Sequence, residues 1–287
     1  MSERSKSFVY DIWKYSYPLP GTPLTIRGHS RGSEKSCFYI PEIKTFLDAG
    51  METYYNPDYI FVTHCHSDHS FQLPMILTGL DRKGKDPPRI HAPKESQHLF
   101  QNFLQTTYEL RKGTTRAKGH FRVTGLSPGQ EVDLNKEGYF VRVYDMHHNV
   151  PTRGYGVCQR RKKLNPLFLG MEGKDLKKLK DTGIDINIYP EYLHLAYVLD
   201  TNIDCFETSP GLLQYTNVMV ECTFFMDEKE EVTDHHIHWC QLKLIVRKNP
   251  DVNFILIHFS MRYTWEEIDA FFTKQKEEFP NIMAWMN

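Results

Sequence analysis

The stretch YIFVTHCHSDHS, residues 59–70, decides how the rest of the chain is read. Tyr59–Thr63 is a short run of β-branched and aromatic residues, the composition of a buried strand. His64-Cys65-His66-Ser67-Asp68-His69 follows without a break, so three imidazoles and a carboxylate crowd the carboxyl end of that strand. Both groups are zinc donors, and a tight turn after a strand can aim His64 and His66 at one ion while Asp68 and His69 face a second. The competing reading is a surface loop that happens to be rich in histidine. Placement directly after a buried strand tells against it.

Four donors do not complete two metal sites, so further ligands are expected at the ends of later strands. His147-His148 follows FVRVYD (Phe140–Asp145), Asp200 follows YVL (Tyr197–Leu199), and His258 follows FILI (Phe254–Ile257). Ligands distant in sequence converge when they share this position along one sheet edge. Taken singly, each has a plainer meaning: a lone histidine at a strand end is a hydrogen-bonded surface residue, and Asp200-Thr201-Asn202 makes a cap or a turn. Taken together, they supply what HxHxDH lacks. VMVEC (Val218–Cys222) reads as another strand. Helices are expected over Lys94–Arg111, Gly173–Thr182, His236–Lys248 and Thr264–Glu278, the last opened by a capping box of Thr264 and Glu267. Strands interleaved with helices indicate an α/β or α+β chain, and with no repeat or linker in view residues 1–287 are read as one domain.

Composition sets wider bounds. With 287 residues, 40% hydrophobic and 25% charged, the chain can bury a sizeable core. Met1–Lys6 is polar and no apolar run of signal-peptide or membrane-spanning length appears. Six cysteines without a CxxC pair read as free thiols in a reducing, intracellular compartment. A net charge of −1 neither favours nor opposes nucleic acid, because binding needs only a local basic patch. Two basic stretches exist, Arg111–Arg122 and Arg160-Arg161-Lys162-Lys163 followed by Lys174, Lys177, Lys178 and Lys180. Each is either a solvated face or a phosphate-binding rim.

HxHxDH, a later histidine, a strand-ending aspartate and a last histidine together resemble the metallo-β-lactamase superfamily. The stretches THCHSDHSFQLPM (Thr63–Met75), HNVPTRGY (His148–Tyr155), Asp200-Thr201, ECTF (Glu221–Phe224), His236-Ile237-His238 and HFSMRY (His258–Tyr263) are similar to the ribonuclease Z group, especially its short plant-like form. The resemblance implies an αββα sandwich, two mixed sheets flanked by helices. It also implies two divalent ions, zinc before manganese or iron. His64, His66 and His148 would hold one, Asp68, His69 and His258 the other, with Asp200 bridging. His147 yields to His148 because the family's ligand immediately precedes x-V-P. Asp68 would help place the attacking water, His236 would protonate the leaving 3′ oxygen, and Glu221 would orient His236.

The implied substrate is precursor tRNA or another RNA, cut to release its 3′ trailer by a homodimer. The segment around residues 159–183 would be the RNA-contacting insert, with Arg160, Arg161, Lys162, Lys163, Lys174, Lys177 and Lys178 on the phosphate backbone. Two departures stand out: Ser70-Phe71-Gln72 replaces the glycines that follow HxHxDH in the family, and Leu199 replaces the glycine before Asp-Thr. The chemistry is coherent without the family, since two ions activate water and neutralise a phosphoryl group while a histidine near neutrality gives a proton. Two alternatives remain. The same centre can open a β-lactam, lactone or thioester, also as a side activity, because fold and metals do not fix substrate. A non-catalytic RNA-binding paralogue is the other, and the full ligand set argues against it.

Overall fold

The computed structural model describes residues 12–226 and 234–287; the polar segment Met1–Lys6 lies outside them. The N-terminal half forms β1 (Tyr17–Pro18), β2 (Thr25–Arg31), β3 (Lys35–Ile40), β4 (Thr45–Leu47), β5 (Tyr59–Phe61), β6 (Arg89–Pro93) and β7 (Val123–Leu126). These lie side by side in sequence order as a seven-stranded sheet. Pairing is antiparallel through β4 and parallel from there to β7. The crossovers carry α1 (Ser67–Ser70), α2 (Leu73–Arg82) and α3 (Gln97–Lys112).

The second half repeats the plan. It supplies β8 (Glu131–Lys136), β9 (Tyr139–Met146), β10 (Thr152–Arg160), β13 (Glu191–Val198), β14 (Asn217–Glu221), β15 (Asn253–Ile257) and β16 (Ile282–Ala284). They form a second seven-stranded sheet, antiparallel from β8 to β13 and parallel from β13 to β16. Around these lie α5 (Cys205–Thr208), α6 (Trp239–Lys248) and α7 (Trp265–Gln275).

Side chains alternate across each strand, and the alternation builds the layers. Tyr59 and Phe61 of β5 enter the space between the sheets, whereas Ile60 and the following Val62 pack with Leu73, Ile76 and Phe100 of α2 and α3. On β13, Leu195 and Tyr197 face inward while Ala196 and Val198 pack with Leu242 of α6 and Ile268 of α7. The result is helix, sheet, sheet, helix, the expected α/β sandwich of two mixed sheets. Each fully buried Phe or Leu contributes about 1.5–3 kcal/mol.

Element ends are set by caps. The helix expected from His236 starts at Trp239, because the His238 ring accepts the Cys240 N–H at 3.0 Å and closes a capping box with Gln241. The Thr264–Glu267 box is present, with α7 running to Gln275. Residues 160–190 leave the sandwich as β11 (Lys163–Leu164) paired with β12 (Asn187–Ile188), enclosing α4 (Gly173–Asp181), a helix with no buried residue. All six cysteines are unpaired. Among the described residues no helix is long and apolar enough to cross a membrane.

Candidate active site

The carboxyl ends of the strands in both sheets meet along one edge of the sandwich, and the sequence-selected residues gather there. His64, His66 and His148 lie with Asp200 in one group whose donor atoms are all within 4.8 Å of one another; Asp68, His69 and His258 form a second such group. His66 Nδ1 is 3.0 Å from His64 Nε2 and 3.3 Å from His148 Nε2. His69 Nε2 stands 3.3 Å from His258 Nε2 and 3.4 Å from Asp68 Oδ2. Asp200 Oδ2 sits between the groups, 3.8 Å from His64 Nε2 and 3.6 Å from His69 Nε2. His147 turns away, its Nε2 lying 2.9 Å from the Thr208 hydroxyl on α5.

These donors fit a divalent cation. Ligands about 2.0–2.2 Å from a tetrahedral zinc stand roughly 3.3–3.6 Å apart, close to the 3.0–3.8 Å seen across the two groups. Asp200 Oδ1 is buried without a hydrogen-bond donor, an orphan a cation would satisfy. The protons show the same demand for positive charge. Burial would raise the Asp68 carboxyl, yet hydrogen bonds from His258 and His69 hold it well below the usual carboxylate range. Burial likewise opposes ionised Asp200, and His258, His69 and His64 overcome it. Burial opposes charge on His69, but Asp200 and Asp48 raise its pKa well above the ordinary histidine value. Burial lowers His64, His66 and His148, keeping them neutral as ligands must be.

Backbone geometry holds the groups in place. His258 leaves β15 with φ 62°, a left-handed conformation that costs an L-residue energy and redirects its ring into the site. Gly50 is required by close approach: a Cβ there would lie 1.6 Å from the Asp68 carbonyl oxygen. The Ser33 N–H donates to Asp68 Oδ2 at 3.1 Å.

His236 stands beside these groups. Its ring lies 5.2 Å from that of His148 and stacks 5.8 Å from that of His258. The fully buried Glu221 carboxylate accepts from His236 Nδ1 at 3.0 Å, and also from the Thr223 hydroxyl and the Thr201 and Ile237 amides. Burial would lower the His236 pKa, but Glu221 pushes it up to about 9. His236, His66, Asp68, His148 and His258 all line one open cavity of about 420 Å³, with Phe224 and Arg262 at its rim.

No protein-family model matches the chain. It is 28% identical over 266 residues to tRNase Z TRZ1 of Arabidopsis thaliana, covering 89% of this chain and 91% of that protein. It is 24% identical over 249 residues to a ribonuclease Z of Staphylococcus carnosus, covering 78% of each. The fold superposes on the metallo-β-lactamase fold protein YhfI of Bacillus subtilis with a TM-score of 0.61, at 13% identity over 92% of this chain and 96% of that one. Human tRNase Z, short form, gives 0.53 at 17% identity, over 82% and 92%.

The chain is a metallo-β-lactamase-fold protein related to the ribonucleases Z. It carries the hydrolase's His/Asp cluster that can hold divalent metal. In this metallo-β-lactamase sandwich none of the seven selected cations of the 160–178 stretch lines the cavity. Arg160 is held between Glu131 and Glu191, Lys174 pairs with Glu172 and Lys178 with Asp175. Arg161 lies over the Tyr192 ring. Sequence reading missed the supports behind the ligands: Asp48, Thr63 and Thr223. Nothing in LDAG or in a lone threonine marks them, since each acts through a partner far along the chain. His235 and His238, without roles at the sequence level, gain them here: His148 Nδ1 donates to the His235 carbonyl, and His238 caps α6.

Proposed function

We propose that the chain is a metal-dependent endoribonuclease that removes the 3′ trailer of precursor tRNA. The supporting observation is the placement of a Glu221-held His236 in one open cavity with two adjacent His/Asp groups, in a chain whose sequence relatives are ribonucleases Z. Two divalent ions, zinc first by donor set, would supply water activation at neutral pH and charge neutralisation at the phosphoryl group. His64, His66 and His148 would hold one and Asp68, His69 and His258 the other, with Asp200 facing both. Asp68 orients the attacking water while the Ser33 amide fixes its carboxylate. His236 keeps Nδ1 on Glu221 and gives the Nε2 proton to the 3′ oxygen as the phosphorus–oxygen bond breaks.

Recognition of the tRNA backbone falls to Arg161, Lys162, Lys163 and the lysines of α4, Lys174, Lys177 and Lys178; Lys174 and Lys178 each have one exposed carboxylate partner, whereas Arg160 is held between two. A homodimer is part of the reading: Phe71, two residues past His69, and Met75 and Leu99 are exposed apolar side chains that a second copy can cover. Cleavage of a labelled precursor tRNA by wild type and Asp68→Ala, with a chromogenic β-lactam alongside, tests the reading. Discrete cutting at the trailer junction, lost in the variant, supports it. β-Lactam turnover without RNA cleavage moves the activity to small molecules. Binding that weakens steeply with salt, less so after charge reversal on α4, assigns those lysines to phosphate contacts.

A further inference from the structure

A second cavity, of about 210 Å³, lies between α2 and α3 and shares no residue with the active-site cavity. Leu80 and Leu104 form a buried apolar floor, with Leu77 and Phe121 packed partly buried against the same core. The lining carries both signs of charge: Asp81 and Asp86 stand with Lys85 and Arg111. Arg111 Nη2 donates to Asp81 Oδ2 at 2.5 Å, and its guanidinium lies 4.9 Å from the centre of the Tyr108 ring. Its Nε–H is buried and has no acceptor.

The wall of the cavity is fastened in place. Gln97, Gln101 and Gln105 recur every four residues on α3, so they share one face of the helix. Gln97 Nε2 donates to the Val123 carbonyl at 3.0 Å, and Gln101 Oε1 accepts the Val123 N–H at 3.0 Å. Gln105 holds the Ala117 carbonyl at 2.7 Å and the Gly119 amide at 3.3 Å. The segment that carries His120 and Phe121 is thereby laid along α3 by side chains, and the opening beside it stands preformed.

We propose that this cavity binds a free α-amino acid with a large apolar side chain. The floor takes a branched or aromatic group, because only apolar surface is offered there. A hydrocarbon alone leaves the Arg111 Nε–H without an acceptor, and a carboxylate supplies one. That carboxylate also answers Lys85, while the ammonium of the same molecule answers Asp86. A ligand bearing a phosphate would meet Asp81 and Asp86 as like charges, so a zwitterion suits the lining better than a nucleotide does.

The test is titration of the full chain with L-phenylalanine and L-leucine, followed by calorimetry and by ¹H–¹⁵N shifts of the backbone amides. Saturable one-to-one binding is expected, with the shifts gathered on α2, α3, His120 and Phe121. N-acetyl-phenylalanine lacks the ammonium and phenylalanine amide lacks the carboxylate, so each should bind about tenfold more weakly. In Asp86→Asn the acetylated form should lose that disadvantage, and in Arg111→Met the amide should lose it. Leu77→Trp should fill the floor and abolish binding; should it fail to fold, the two charge variants decide. No saturable binding by about 10 mM overturns the proposal. So does binding unchanged in folded Leu77→Trp, or equal affinity for the amino acid, its acetylated form and its amide.

Discussion

On the first sheet Thr63 rests on Asp48 and turns its oxygen to His64; on the second Thr223 rests on Glu221 and turns its oxygen to His258, 3.2 Å away. Both carboxylates are fully buried and both threonines directly follow or closely trail a central strand. What differs is the remaining donor. Asp48, which also accepts from the His69 ring, takes the phenol of Tyr197, a fully buried group with no route to substrate. Glu221 takes His236, which is partly exposed and lines the cavity. The same support therefore serves only to hold ligands on one side, and on the other both holds a ligand and tunes a proton donor.

The largest effect expected is loss of what the two sides share. Asp200→Ala removes the oxygen that faces both groups, and metal analysis with RNA cleavage should show binding and turnover at background. Retained turnover would end its bridging role.

Next comes the proton-donating side. His236→Ala should keep metal and lose about 10²–10⁴-fold in cleavage rate, the range for a general acid. Glu221→Gln gives the finer version. Glu221 holds the His236 pKa up, and an acid works only below its pKa, so the alkaline limb of the rate profile should move to lower pH. An unmoved limb would mean that another group supplies the proton.

Thr223→Val sets the two supports directly against each other. It should weaken metal at the His258 group by about 10–100-fold while also slowing cleavage through the loosened Glu221. If only metal affinity responds, the second support is no different from the first.

The smallest effect concerns a histidine that neither support serves. His91 on β6 is buried against Phe61, neither ring nitrogen has a hydrogen-bond partner, and burial followed by nearby Arg89 lowers its pKa to about 4. With a folded pKa below the unfolded one, the unfolded chain binds more protons as pH falls, so stability present above about 6.5 is lost on acidification. Urea melts at pH 7.5 and 5.5 should show wild type losing roughly 1 kcal/mol through this group, and His91→Phe should not lose it. Equal losses in both would mean that the ring is hydrated.

Much of this was legible in the residues because it is local. HxHxDH places its donors through one turn, and strands such as FILI announce their burial by composition. Other strands were hidden: TIRGHSR of β2 carries a histidine and an arginine, His29 and Arg31, at positions the fold buries, so no apolar alternation marks it. The helix at Leu73–Arg82 has Pro74 in its first turn, which fits a helix start, but no capping side chain announces it.

The sequence by itself determined the types and spacing of the donors and the strand ends that carry them, because these depend on covalent neighbours and on a period of two, while the order of layers came from the family resemblance. Tertiary structure alone decided that His238 rather than His236 caps α6, that Arg160 is neutralised by Glu131 and Glu191, and that Asp48 stands behind two of the selected histidines. The physical reason is that a side chain's partner at a strand end is chosen by how the two sheets register and pack. That choice joins Asp48 to Tyr197 across 149 residues of chain, beyond the reach of any local pattern.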